Sequence, residues 1–284
     1  MPLVAYLGAS GGNIYKAMKL LVLTDTHLVE PGGDIIGLDP SQRLAHVLDH
    51  AIEQHPDAAR IIILGDLTHH GRAAQYTHLR DLLARTDIPV SLMLGNHDSR
   101  AEFINAFPEA PLTDAGHVQH VVELGGHHLI CLDSLDESAV PPHSGFLCDA
   151  RMAWLRDALD AAQGAPVVLA LHHPPFRTGF DGMDAIRLRN DDALLDLLAK
   201  YPNVTQLLCG HVHRTISGSA GGLPYAIFKS TCHQMPMLLG RAGSDHSVVE
   251  AGGYGVILLT EGGVVVHTDD TGPRGAPTVD GHSA

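Results

Sequence analysis

The sequence predicts an α/β fold built on a parallel sheet, and three observations carry that prediction. Short, nearly continuous apolar runs, "KLLVLTD" (19–25), "RIIILGD" (60–66) and "IPVSLMLGNHD" (88–98), have the length and uniformity of strands covered on both faces. Stretches with apolar residues at helical spacing separate them. Each run stops abruptly in Gly or polar residues. The order strand, helix, strand, helix, strand is the signature of a parallel sheet.

The first strand gives way to a Gly/Pro-containing loop, "VEPGGDIIGLDP". A helix is expected over 41–55, capped by Ser41, with Leu44, Val47, Leu48 and Ile52 on one face. A second helix is expected over 73–85. "HVQHVVELGGHHLICLDS" (117–134) reads as a hairpin turning near Gly125-Gly126. Residues 149–162 form a helix with the only Trp, Trp154, and "APVVLALHHPP" (165–175) is another buried strand. A helix over 190–200 carries Leu194, Leu195, Leu197 and Leu198, and "VTQLLCGHVH" (204–213) is the next strand. Short strands follow near 214–218, 223–229, 254–260 and 263–268. Residues 1–17 read as a flexible leader, with Met18 as an alternative start, 18–270 as one domain, and the Gly- and Pro-rich 271–284 as a disordered tail.

Lys and Arg total 18 against 32 Asp and Glu, a formal charge of −14. Such a chain lacks the basic excess that wraps a nucleic acid polymer, while bound cations would still permit a small anionic substrate. No run approaches the roughly 18 apolar residues of a membrane span. The four cysteines, Cys131, Cys148, Cys209 and Cys232, form no C-x-x-C, which points to free thiols in a reducing cytoplasm. The outlying number is 21 His, whose neutral imidazole is a metal ligand.

Five strand ends concentrate metal-binding chemistry: Asp25-Thr26-His27, Gly65-Asp66, Gly95-Asn96-His97-Asp98, His172-His173 and Gly210-His211-Val212-His213. Ligands of open α/β sheets bind beyond the carboxyl ends of the strands, so all five sets point to one edge. In extended D-x-H and H-x-H, the outer residues share a face. Carboxylate, imidazole and amide oxygen together suit Mn, Fe or Zn better than Ca. Asp66, on a tight turn after Gly65, is the best candidate to bridge two ions, and Gly95 is expected to supply the bend before Asn96. Each set alone is ordinary turn chemistry. Read that way, five successive strand ends would have to coincide.

D-x-H, G-D, G-N-H-D, a later H and G-H-x-H, in this order, is the motif set by which the chain resembles the calcineurin-like metallophosphoesterases over roughly residues 19–230. The resemblance implies a four-layer α-β-β-α sandwich of two mixed β-sheets flanked by helices. It implies two divalent metal ions, one on Asp25, His27, Asp66 and His213, the other on Asp66, Asn96, His172 and His211. His97 is implied as the substrate-facing catalytic imidazole, and Asp98 as the group behind that imidazole or its loop, if it does not cap the next helix. The spelling "TDTHL", "GDLTHHG", "GNHD", "HHPP", "GHVH" and "STCHQ" most resembles bacterial class III cyclic nucleotide phosphodiesterases and glycerophosphodiesterases. This implies hydrolysis of small phosphodiesters, such as 3′,5′-cAMP or glycerophosphodiesters, by a hydroxide bridging two ions roughly 3.5–4 Å apart. It also implies a homo-oligomer. The alternatives are a phosphomonoesterase or protein phosphatase, a nuclease, or a non-catalytic scaffold. Around the site, His69 and His70 are expected at the entrance, His233 as a specificity residue, and "QMPMLL" (234–239) as an apolar wall, an oligomer contact or core. His173 and Arg214, each following a ligand, are open between loop and catalytic roles.

Overall fold

The computed structural model describes residues 17–240 and 246–273; residues 1–16 of the expected leader and 274–284 of the expected tail lie outside the described residues. In chain order the elements are β1 (Met18–Leu23), α1 (Pro40–Gln54), β2 (Arg60–Ile63), α2 (Ala73–Leu83), β3 (Val90–Leu92), α3 (Arg100–Ala106), β4 (His120–Leu124) and β5 (His127–Leu132). Then follow α4 (Asp149–Ala161), β6 (Val167–Leu171), α5 (Asp181–Ala185), α6 (Asp191–Leu198), β7 (Val204–Cys209), β8 (Ile216–Ala220), β9 (Leu223–Ile227), β10 (Gly253–Thr260) and β11 (Gly263–Asp270).

Side-chain alternation in β1 explains the layering. Leu21 and Leu23 pack with Leu44, Val47 and Leu48 of α1 on one face. Leu20 and Val22 turn the other way and meet Val168 and Leu208 of a second sheet and Phe228, which directly follows β9. The first sheet has the order β11-β10-β1-β2-β3, and the second β4-β5-β6-β7-β9-β8. β1, β2 and β3 are parallel, as are β5, β6, β7 and β9, and antiparallel strands complete each sheet. Leu155 and Leu159 of α4 and Leu194, Leu197 and Leu198 of α6 cover the outer face of the second sheet. The result is the four-layer sandwich of two mixed sheets flanked by helices that the resemblance implied.

Several boundaries differ from expectation for local reasons. Helix α1 starts at Pro40, and Asp39 rather than Ser41 is its cap: Asp39 Oδ1 accepts from Ser41 N at 2.9 Å and Gln42 N at 3.1 Å. Pro is suited to the first turn because no helical bond needs its nitrogen. The helix α3 is capped by the Ser99 side chain, not by Asp98. At seven and five residues, α3 and α5 are too short to display a helical period, and no periodic signal predicts them.

Candidate metal centre

The parallel strands of both sheets end on the same side, and their loops interlock there. Asp25 N donates to Gly65 O at 3.0 Å and His27 N to Asp66 O at 2.9 Å, joining the first two loops. His172 Nδ1 donates to Leu64 O at 2.9 Å, and His211 N donates to the Asp25 carboxylate at 3.1 Å, joining the second sheet to the first. Asp25, His27, Asp66, His211 and His213 all have positive φ, between 46° and 73°. A left-handed backbone at a residue with a side chain costs about 1–3 kcal/mol, and five together mark a site where geometry overrides local preference.

Gly95 serves the site differently from expectation. It is absent from the positive-φ glycines, so the bend itself does not demand it. A Cβ there would collide with Asp66 Oδ1 and Asp66 N. The glycine lets the third loop touch the second.

The ligand atoms of Asp25, His27, Asp66 and His213 lie within 4.8 Å of one another. His27 Nε2 and His213 Nε2 are 3.0 Å apart, and Asp25 Oδ1 is 3.3 Å from His213 Nε2. Beside them, His172 Nε2 is 3.4 Å from Asp66 Oδ2 and 3.2 Å from Asn96 Oδ1. His211 packs its ring 5.2 Å from that of His172, and its buried Nε2 has no hydrogen-bond partner among the described residues. Asp66 thus stands between two clusters. His173 also falls near His172 and His211. Its Nδ1 meets Ser134 Oγ at 2.8 Å and its Nε2 meets His143 O at 3.2 Å, so neither nitrogen is free to ligate.

The donor set fits cations. Lone pairs of buried imidazoles and carboxylates that face one another at 3–4 Å need positive charge between them. Without an ion, protons answer that need. Burial alone would lower His172, but the Asp66 and Asp25 carboxylates outweigh it and hold the ring at about 9. His213 is raised by Asp25 against the same burial. His27 and His211, pushed well down by burial and by neighbouring imidazoles, stay neutral, the form that binds a metal.

His97 is fixed at two points. Its N–H donates to Asp66 Oδ1 at 2.8 Å, and its Nδ1 donates to His69 O at 3.0 Å, leaving Nε2 as the free ring nitrogen. The ring stacks between His69 (5.0 Å, 16°) and His143 (5.2 Å, 26°). Asp98 does not bond the His97 ring. Its Oδ2 accepts from Leu67 N and Gly95 N, and its Oδ1 from Thr68 N, Thr68 Oγ1 and Tyr76 OH, at 2.9–3.2 Å. Of the roles open to it, the geometry supports holding the loop. Burial, and then the nearby Asp66 charge, push its carboxyl up to about 6.

Above the clusters is a pocket of about 370 Å³ with seven histidines in its wall: His27, His69, His97, His143, His211, His213 and His233. Ile35, Met183 and Ile186 also line it. Sequence reasoning missed these three and His143, which come from loops and from α5, where no periodicity signals them. His143 accepts from Asn96 Nδ2 at 3.1 Å, which turns Asn96 Oδ1 toward His172. The Met-rich segment is not the wall: Met235 is in the core, and Met237, Leu238 and Leu239 are exposed. His70 bonds Gln75, and Arg214 pairs with Glu250 and Met235 O, both at 2.8 Å.

Fold, strand-end loops and buried imidazole–carboxylate clusters together describe a metal-dependent phosphoesterase, and comparison agrees. Residues 18–215 match the calcineurin-like phosphoesterase family, and the chain belongs to it. It is 41% identical over 251 residues to a probable cyclic nucleotide phosphodiesterase of Rhodopseudomonas palustris, covering 88% of this chain and 91% of the relative. The 3′,5′-cyclic adenosine monophosphate phosphodiesterase of Pseudomonas aeruginosa is 35% identical (77% and 78% covered). The glycerophosphodiester phosphodiesterase of Enterobacter lignolyticus is 29% identical (77% and 79% covered). Among solved structures, a dimetal phosphatase from Danio rerio shares the fold, with TM-score 0.67, 14% identity, and 88% and 95% of the two chains covered.

Proposed function

We propose that the protein is a dinuclear-metal phosphodiesterase for small diesters, cyclic nucleotides such as 3′,5′-cAMP first. One ion would be held by Asp25, His27, Asp66 and His213, the second by Asp66, Asn96, His172 and His211. Two divalent ions at such ligands would supply an activated water and charge neutralisation at a phosphoryl group. Mn, Fe and Zn all suit the donors.

The observation that carries this reading is the mixed lining of the pocket. Its imidazoles and Asp66 carboxylate would serve a diester's phosphate, and Ile35, Met183 and Ile186 in the same lining would serve whatever the phosphate carries. A nucleoside provides an apolar face of that kind, and a glyceryl group less so. The relatives' names support both substrate classes. Arg100 does not favour a monoester dianion: its guanidinium is engaged by Asp133 (2.8 and 3.0 Å), Glu137 (3.0 Å) and Leu135 O (2.9 Å).

In this proposal His97 acts through Nε2. With Nδ1 donating to His69 O, the neutral ring presents a lone pair, so it donates a proton to the leaving oxygen only as imidazolium. Asn96 binds without adding negative charge beside an anionic substrate. Asp98 keeps the loop in register. The four free thiols support the reducing cytoplasm read from the sequence, and exposed Met237, Leu238 and Leu239 support a homo-oligomer.

A Mn(II)-supplemented assay of bis-p-nitrophenyl phosphate against p-nitrophenyl phosphate, followed by cAMP and a glycerophosphodiester, tests the function. Diester turnover should dominate, with cAMP preferred; faster monoester turnover would overturn the proposal.

A further inference from the structure

A second cavity, of about 460 Å³, opens where the sheets' edge strands β3 and β4 lie near each other, and it shares no lining residue with the metal pocket. Its polar residues stand where apolar ones are expected. Arg60 shares a strand face with Ile62, Ser91 with Met93, and His120 with Val122 and Leu124, and those neighbours belong to the apolar layer between the sheets. A charge at such a position breaks the pattern that builds the core, and such breaks mark functional sites.

The hydrogen bonds leave two donors of this cluster unmet. Ser91 Oγ accepts from Arg60 Nη1 at 3.2 Å and lies 3.2 Å from His120 Nε2. With the hydroxyl donating to that nitrogen, the His120 ring proton is on Nδ1. Arg60 Nε and His120 Nδ1 are then two buried donors, and neither has an acceptor among the described residues. His120 is 9% exposed and lines the cavity. Among the described residues no carboxylate pairs with Arg60; Glu109, also in the wall, is held through both oxygens by Arg80 at 3.2 and 3.1 Å. Burial, and then the Arg60 charge, hold His120 down at about 4, so the ring is neutral and the cluster carries one positive charge.

One guanidinium with a neutral donor beside it matches a monoanion with planar oxygens, and a phosphate dianion would be half neutralised. The rest of the wall, including Leu83, Phe103 and Phe107, matches an apolar body. We propose that this cavity is a second ligand site, which takes a small carboxylate with an apolar body, its head on Arg60 and His120. The inference is independent of the phosphodiesterase reading.

Calorimetric titration of the protein with octanoate and with octanol tests it. Octanoate should bind once per chain and octanol at least about tenfold more weakly, and Arg60→Gln should weaken octanoate by at least about tenfold. Should Arg60→Gln not fold, Val122→Trp, which fills the cavity and keeps the charge, carries the same test. Three results would each overturn the proposal: no octanoate binding at millimolar concentration, octanol binding as tight, or a folded variant binding octanoate as the wild type does. The last would place the carboxylate elsewhere, such as on the metal centre.

Discussion

Asp66 holds His97 by its backbone: Oδ1 accepts the His97 N–H at 2.8 Å while Oδ2 faces His172 Nε2 at 3.4 Å. One carboxylate therefore shapes the proposed bridge and the proposed catalytic loop together. Asp66→Ala is expected to lose dinuclear binding and to reduce turnover by about 10²–10³-fold or more. Two tightly bound ions per chain in elemental analysis would refute this. Asp66→Asn keeps an acceptor for His97 N–H and is expected to fold normally while still failing to hold two ions.

His97→Ala should retain both ions and lose about 10²–10⁴-fold in turnover. If the ring protonates the leaving oxygen, the loss is larger for cAMP than for bis-p-nitrophenyl phosphate, whose leaving group needs no proton. Comparing kcat on the two substrates reads this directly. Unchanged turnover on both removes His97 from the chemistry.

Asp98 accepts five hydrogen bonds from groups around the second and third loops, and Tyr76 OH supplies only one of them. Asp98→Asn turns an acceptor-only group into one that also donates, leaving buried donors unmet at about 1–3 kcal/mol each. Tyr76→Phe should cost about 1 kcal/mol. Urea denaturation separates them, and equal losses would contradict the assignment of Asp98 as the hub.

His120 predicts a pH dependence of stability. Burial, and then Arg60, bring its folded pKa to about 4 from an ordinary 6.5, so the unfolded chain takes up the proton first as pH falls. Its contribution is fully present above about 6.5 and is lost between there and about 4, to a limit of about 3 kcal/mol. His120→Phe should flatten that part of the stability curve. Curves for the two proteins that stay parallel between pH 7 and pH 4.5 would count against it.

The strands, and the candidate ligand types at their ends, are legible because each is a local pattern: an apolar run, then Asp, Asn or His. What the sequence hides is convergence over distance. His143 and His69 frame His97, yet each sits in a loop that no period marks. Ile35, Met183 and Ile186 line one pocket from two separate segments. The role of Gly95 is hidden because a turn and a close approach look alike in sequence, and only the position of Asp66 distinguishes them. Ser41 and Asp39 are both good caps in sequence, and only the bonds from Ser41 N and Gln42 N to Asp39 Oδ1 decide between them.

The proposed ligands are divided between the two sheets. Asp25, His27, Asp66 and Asn96 follow β1, β2 and β3, whereas His172, His211 and His213 follow β6 and β7. Bound ions would act as a clasp across one end of the sandwich, so that sliding one sheet over the other alters the spacing between them. Leu20 and Phe228, which pack between the sheets and ligate nothing, would thereby become determinants of ion affinity. How tightly the protein held metals would then gauge how well two apolar faces fit.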